Sequence, residues 1–351
     1  MSISPFDHPF LSGLMGDEEA ANCFSAENDI AAMLRFEIAL AEAQAAENII
    51  ENAAAEAIRD ACQNFSADMA ALKSMVALDG VVIPELIRQL RDIIPLQHRG
   101  SLHLGATSQD VIDTSLMIRL KPVVTRLETG LSDIIADLDK LEKTFGNNGL
   151  MGHTRMQAAI AITVGDRIES WRGPLLRHRR RLDILKRDLP VIQFGGAAGT
   201  LEKLGDKGPA VRERMAGLLG LHDSPQWHSQ RDIIVEFADF LSLISGSLGK
   251  IGQDIALLAQ GSAELKLSGG GKSSAMPHKQ NPVLAELLVA LARYNATQIS
   301  GMHHALVHEQ ERSGAAWTLE WMILPSMVAS TTTALRSASS LLGSIESLGK
   351  A

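Results

Sequence analysis

Residues 108–145 read SQDVIDTSLMIRLKPVVTRLETGLSDIIADLDKLEKTF. In this stretch Val111, Ile112, Leu116, Ile118, Val123, Leu127, Leu131, Ile134, Leu138 and Leu141 recur at the spacing of one α-helical face. Pro122 is expected to kink the stripe locally rather than end it. A helix of nearly forty residues is roughly 55 Å long, at about 1.5 Å per residue. Comparable helical runs are expected over about 157–189, 230–262, 282–313 and 317–348. Five such rods are too long for a compact lone subunit. Their near-heptad stripes predict side-by-side bundling between subunits.

The chain ahead of this stretch reads differently. Ser25 is placed to cap a helix in which Ile30, Leu34, Ile38 and Ala41 recur, Ser66 to open a short helix ending near Gly80, and Pro84 to start a third. The expected organisation is therefore a small helical domain over 1–105 and a central long-helix domain over 106–351. Composition agrees with an all-α class. The chain is 46% hydrophobic but only 4% aromatic, a balance that suits packed helices better than sheets.

Composition also bounds the function. A net charge of −8 argues against a nucleic-acid surface. The two cysteines, Cys23 and Cys62, provide no disulfide framework and fit a reducing compartment. No apolar run approaches the ~18 residues of a membrane span, and the N-terminus lacks a signal-peptide layout. A soluble cytoplasmic protein is expected. The basic run Arg177–Arg181 reads as a solvated helix face.

Three segments carry chemistry. The first is Gly269-Gly-Gly-Lys-Ser-Ser-Ala-Met-Pro-His-Lys-Gln-Asn-Pro282. Its glycines allow close approach to a ligand, Asn281 suits a helix N-cap and Pro282 suits the first helical position. The free N–H groups of that helix start favour an anion, with Lys279 adding charge and Ser273 and Ser274 adding hydroxyls. The second is His103-Leu-Gly-Ala-Thr-Ser-Gln-Asp110, where Thr107 and Ser108 can cap the long helix and donate to an anion at its start. The third is Gly152-His153-Thr154-Arg155-Met156-Gln157, in which Arg155 could clamp a carboxylate in bidentate fashion. Arg231, in Trp227-His-Ser-Gln-Arg-Asp232, is a plausible further anion contact, and the small-residue stretch Gln193–Leu201 could bring backbone close to a ligand. His303, His304 and His308 share a predicted helix, but no cysteine or carboxylate set completes a metal site around them.

Residues 273–282 resemble the signature loop of the fumarase/aspartase superfamily, Ser-Ser-x-Met-Pro-x-Lys-x-Asn-Pro, with Lys272 where relatives usually have glycine. The segment from His103 to Asp110 is similar to the superfamily's first characteristic region, in the form found in its adenylosuccinate lyase and carboxymuconate cycloisomerase branches. Relatives show Gly-Arg-Thr-His-x-Gln in the second region, often with the histidine as general acid. Here His153 and Arg155 stand exchanged, so no histidine acid is carried over. The stretches 193–201 and 227–232, with Ala32–Glu37, Glu311-Arg312 and Glu320-Trp321, are similar to the cycloisomerase branch.

The resemblance implies a bundle of long helices behind a small N-terminal domain. It also implies a homotetramer whose sites combine segments of three subunits. Ser273 would move the proton beside a carboxylate, with Lys279 and Asn281 stabilising the charge that develops. His103, Thr107, Ser108, Gln109, His153, Thr154, Arg155, Gln157, Arg231, Ser274 and Met276 would bind substrate. The implied reaction closes a 3-carboxy- or 3-sulfo-substituted cis,cis-muconate to a lactone, as in aromatic degradation through protocatechuate, with no metal and no cofactor. An adenylosuccinate-lyase-like elimination and a catalytically silent scaffold are the alternatives. Most members carry a further C-terminal helical domain, which this chain is expected to lack.

Overall fold

The structure, a computed structural model, describes residues 4–261, 264–272 and 280–350. Helices α1 (Ser12–Met15) and α2 (Glu18–Cys23) are short. Ser25 caps α3 (Ala26–Ala46), its Oγ accepting from Asn28 N at 3.2 Å. After α4 (Asn52–Gln63), α5 (Met69–Asp79) starts at Asp68 and not at Ser66. The Asp68 carboxylate accepts from both Ala70 N and Ala71 N, and a carboxylate suits the positive end of a helix better than a neutral hydroxyl. Gly80 closes that helix in the left-handed region at φ 74°. Helix α6 (Ile83–Ile93) carries Pro84 in its first turn.

Helix α7 (Ser108–Phe145) runs unbroken for 38 residues with Pro122 inside it, about 57 Å of rod. The expected helix over 157–189 begins later than its sequence suggests. Strands β1 (Gly149–Thr154) and β2 (Gln157–Thr163) form an antiparallel hairpin before α8 (Val164–Asp188). Arg155 and Met156 make the turn at φ 48° and 66°, and the one-apart alternation of Ile160 and Ile162 follows a strand period.

Helix α9 (Gly208–Leu219) precedes α10 (Asp232–Gly261), and β3 (Leu265–Leu267), β4 (Gly271–Lys272) and β5 (Gln280–Asn281) follow. Helix α11 (Val283–Ala305) is capped at Pro282, so Asn281 is the end of a strand instead of the expected N-cap. It stops eight residues short of the expected 313. Helix α12 (Ala315–Gly343) gives way to β6 (Ile345–Leu348), which pairs with β3, so the run expected to 348 also ends early.

Helices α7, α8, α10, α11 and α12 share one core, in which Leu127, Leu131, Ile134, Leu138, Ile244, Leu248, Ile251 and Met327 have no exposed surface. This mostly helical architecture matches the all-α expectation. Helices α10 and α11 touch nearly backbone to backbone. A Cβ at Gly252 would stand 2.6 Å from the Ala285 carbonyl oxygen, and one at Gly249 would stand 2.4 Å from Ala292 Cβ. Among the described residues no helix is long and apolar enough to cross a membrane.

Candidate active site

The first half of the candidate site is built around the head of α7, where Asp110 is fully buried. Its Oδ1 accepts from Gly195 N at 2.9 Å, Gln193 Nε2 at 3.2 Å and His228 Nε2 at 2.8 Å. Its Oδ2 accepts from Gly196 N at 2.9 Å and Thr107 N at 3.0 Å. A carboxylate satisfied by this many donors tolerates burial. The carboxylate pins the Gly195-Gly196 loop against the helix start, and Gly196 adopts φ 70° with Gly105 O only 2.8 Å from where a Cβ would lie.

Thr107 is half-buried at the N-cap, and Ser108 follows as the first helical residue. Arg312 reaches over this point from the segment between α11 and α12. Its Nη1 donates to Thr107 Oγ1 at 3.0 Å and its Nη2 to Ala197 O at 3.0 Å. A helix start, two hydroxyls and a guanidinium thus converge on one spot, a combination that suits a carboxylate. His103, just upstream, sits at φ 59° with Nδ1 2.7 Å from Glu37 Oε1.

Two expected substrate contacts lie behind this surface. Arg231 was expected as an anion clamp, but it is 1% exposed and its charge is already matched. Nη1 donates to Asp113 Oδ2 and Nη2 to Glu320 Oε2, both at 2.6 Å, while Nε donates to Glu320 Oε1 at 2.8 Å. Its guanidinium also lies 4.8 Å over the Trp227 ring, and Trp317 Nε1 donates to Asp113 Oδ1 at 3.1 Å. This triad ties α7, α10 and α12 together under the site. Gln109 is equally enclosed, its Nε2 donating to His228 O at 2.8 Å and Asp113 Oδ2 at 3.1 Å. Both side chains are enclosed and hold neighbouring elements together in this fold.

The predicted residues of the 149–163 hairpin sit at the opposite end of the bundle. His153 and Thr154 end β1, Arg155 occupies the turn and Gln157 opens β2, all beyond the C-terminal end of α7. His153, Arg155, Arg167, Lys250 and Lys350 line a cleft of about 740 Å³ with Asp254 and Glu264. Trp171 Nε1 donates to Asp254 Oδ2 at 2.8 Å, which fixes one wall. Glu264 Oε1 accepts from Met151 N at 3.1 Å, and Glu264 O from Gly349 N at 2.7 Å, so the hairpin is fastened to the strand leading into β4. Asn281 pairs with Gly271 across β4 and β5. Ser273, Ser274, Met276 and Lys279 lie outside the described residues.

Among the described residues no three His, Cys, Asp or Glu side chains are grouped to hold a metal ion. His303 instead stands 3.2 Å from Asp239 Oδ1, and the buried His308 ring stands 3.7 Å from Glu320 Oε1.

A family model described as lyase matches residues 11–301. The chain belongs to this lyase family, within the fumarase/aspartase superfamily. The lyase is 38% identical to a 3-carboxy-cis,cis-muconate cycloisomerase of Pseudomonas aeruginosa, over 92% of this chain and 72% of that relative. A cycloisomerase of the same name from Pseudomonas putida is 37% identical over 92% of this chain and 78% of its own length. The crystal structure of the 3-carboxy-cis,cis-muconate lactonizing enzyme from Pseudomonas putida superposes with a TM-score of 0.90 at 36% identity, covering 96% of this chain and 77% of that one.

Two residues of this lyase's candidate site have no role assigned in the sequence alone. Arg312 carries only a family resemblance in the sequence, because nothing local reveals that the segment beyond α11 folds back over Thr107. Asp110 stands in its sequence motif with no evident role. Its partners come from 193–196 and 228, and no spacing rule predicts that convergence.

Proposed function

We propose that this chain closes 3-carboxy-cis,cis-muconate to its muconolactone. One carboxylate oxygen of the substrate bonds to the β-carbon of the conjugated acid. The displaced electron pair moves onto the second carboxylate, and a proton is then added to the carbon beside it. The reaction is an isomerisation, so its atoms balance without a co-reactant. It needs anion contacts and one proton donor. The observation that carries this reading is the similarity of nearly the whole chain to cycloisomerases of that name, in sequence and in fold. The cradle of Thr107, Ser108, Arg312 and the α7 N-terminus supports a polycarboxylate substrate. An adenylosuccinate-lyase-like elimination is not favoured, since these relatives are cycloisomerases.

The working unit is proposed to be a cytoplasmic homotetramer. The α7 cradle and the His153–Gln157 hairpin lie at opposite ends of a helix about 57 Å long, farther apart than one small substrate can bridge. Neighbouring copies would bring one chain's cradle to another's hairpin and to the Ser273–Lys279 segment. There Ser273 would act as proton donor in the closing direction, with Lys279 and Asn281 stabilising the charge on the carboxylate. The division into 1–105 and 106–351 is part of the same proposal.

The test is to mix the purified protein with 3-carboxy-cis,cis-muconate and follow loss of the conjugated diene absorbance. Lactone formation that disappears in Ser273→Ala with the fold retained is the expected result. Equal activity in that variant would remove the serine from the mechanism. A folded protein with no turnover would favour the silent-scaffold reading.

A further inference from the structure

His103 makes two unusual commitments for a residue at a helix entrance. Its backbone lies in the left-handed region at φ 59°, which side chains with a Cβ adopt at some cost, and Gly105 two residues on takes φ 78°. Its ring rests on the Glu37 carboxylate, which has no exposed surface, while the ring itself keeps 15% of its surface open. Glu37 Oε2 is buried without a hydrogen-bond partner. A buried carboxylate satisfied on one oxygen only is expensive as mere packing. Helix α3 holds the same segment a second time, Gln44 Nε2 donating to Leu104 O at 2.7 Å. Nε2 of His103 makes no hydrogen bond among the described residues and is not among the enclosed atoms that lack one.

We propose that Glu37 is a positioning residue for substrate binding. Its carboxylate fixes Nδ1 of His103 as a donor and turns Nε2 outward as a second donor to a substrate carboxylate beside Thr107. The inference rests on the polycarboxylate reading above. Both ring nitrogens donate only in the imidazolium form. Burial of the ring works against that charge, but the charge and hydrogen bond of Glu37 outweigh it and leave the His103 pKa raised. Asp110 on α7 acts in the same direction and Arg91 on α6 acts against it. The proton is therefore held at low pH and lost as pH rises through the raised value, and binding should weaken in that direction.

The experiment is steady-state lactone formation from 3-carboxy-cis,cis-muconate across pH, for the unsubstituted chain, Glu37→Gln and His103→Asn. The expected KM of the unsubstituted chain rises on the alkaline side while kcat holds. In Glu37→Gln that rise moves to lower pH, and KM near neutrality increases about tenfold, the order of one charge-assisted hydrogen bond. In His103→Asn the pH-linked rise disappears. A purely structural Glu37 would change the melting temperature without moving the KM profile. Coincident KM profiles for Glu37→Gln and the unsubstituted chain overturn the dyad alone. Absence of turnover by the unsubstituted chain overturns the assigned reaction and the dyad's substrate role together. Should Glu37→Gln fail to fold, His103→Asn, at a part-exposed ring, decides by retaining or losing the pH-linked rise.

Discussion

His228 Nε2 stands 2.8 Å from Asp110 Oδ1, and both side chains are sealed from solvent. A carboxylate can only accept, so the proton of this pair sits on Nε2 of the ring. Asp110 thereby becomes the meeting point of three stretches far apart in the chain: the α7 entrance, the Gly195-Gly196 loop and the approach to α10.

Asp110→Asn preserves shape but presents an NH₂ group to donors that now converge on oxygen. Leaving buried N–H groups unmatched costs about 1–3 kcal/mol. The loop it pins carries Ala197 O, which helps hold Arg312. Chemical denaturation should show that loss of stability, and kcat/KM for lactone formation should fall by roughly tenfold or more through misplacement of the cradle.

Arg231→Met removes the cation from between two buried carboxylates, Asp113 and Glu320. Breaking one side of a buried ion network costs about 3–5 kcal/mol, far above the effect of a surface pair. Denaturant titration should register this, whereas loss of a direct clamp would raise KM at unchanged stability. Unchanged stability with raised KM would return Arg231 to the role of a substrate contact.

His178 lies between α8 and α10, 2.8 Å from Ser247 Oγ. Burial, then the charges of Arg181 and Arg177, push its pKa down to about 4. The unfolded chain binds a proton here well before the folded one does. Stability should therefore be full above the ordinary imidazole range and decline as pH falls toward 4. Melting curves from neutral to acid pH should show the decline, and His178→Gln should flatten part of it.

How much could be read beforehand follows from how local each signal is. Helix α7 was legible to its last residue because a one-face stripe states both period and length. Ser25 was legible as a cap because the residue bonds to its own helix. The hairpin at 149–163 was not. Its turn residues, Arg155 and Met156, carry none of the glycine or asparagine signals of a tight turn. The partners of Arg231 were hidden for a related reason. An arginine at a helix start looks free to bind an anion until Asp113 and Glu320, 118 and 89 residues away, are folded against it. The closeness of α10 and α11 at Gly249 and Gly252 was equally hidden, since a glycine in a helix does not announce its neighbour.

The length of α7 has a genetic consequence. A rod about 57 Å long separates the Thr107 cradle from the hairpin, so a lesion at one end leaves the other intact. If sites form between copies, a chain crippled at Thr107 and a chain crippled at Ser273 are not equivalent failures. Refolded together, they would assemble some sites that draw every part from the sound segments of each, and two dead alleles would give back a live enzyme. Activity regained on mixing, above either variant alone, measures that complementation. Its absence would mean that each chain completes its own site.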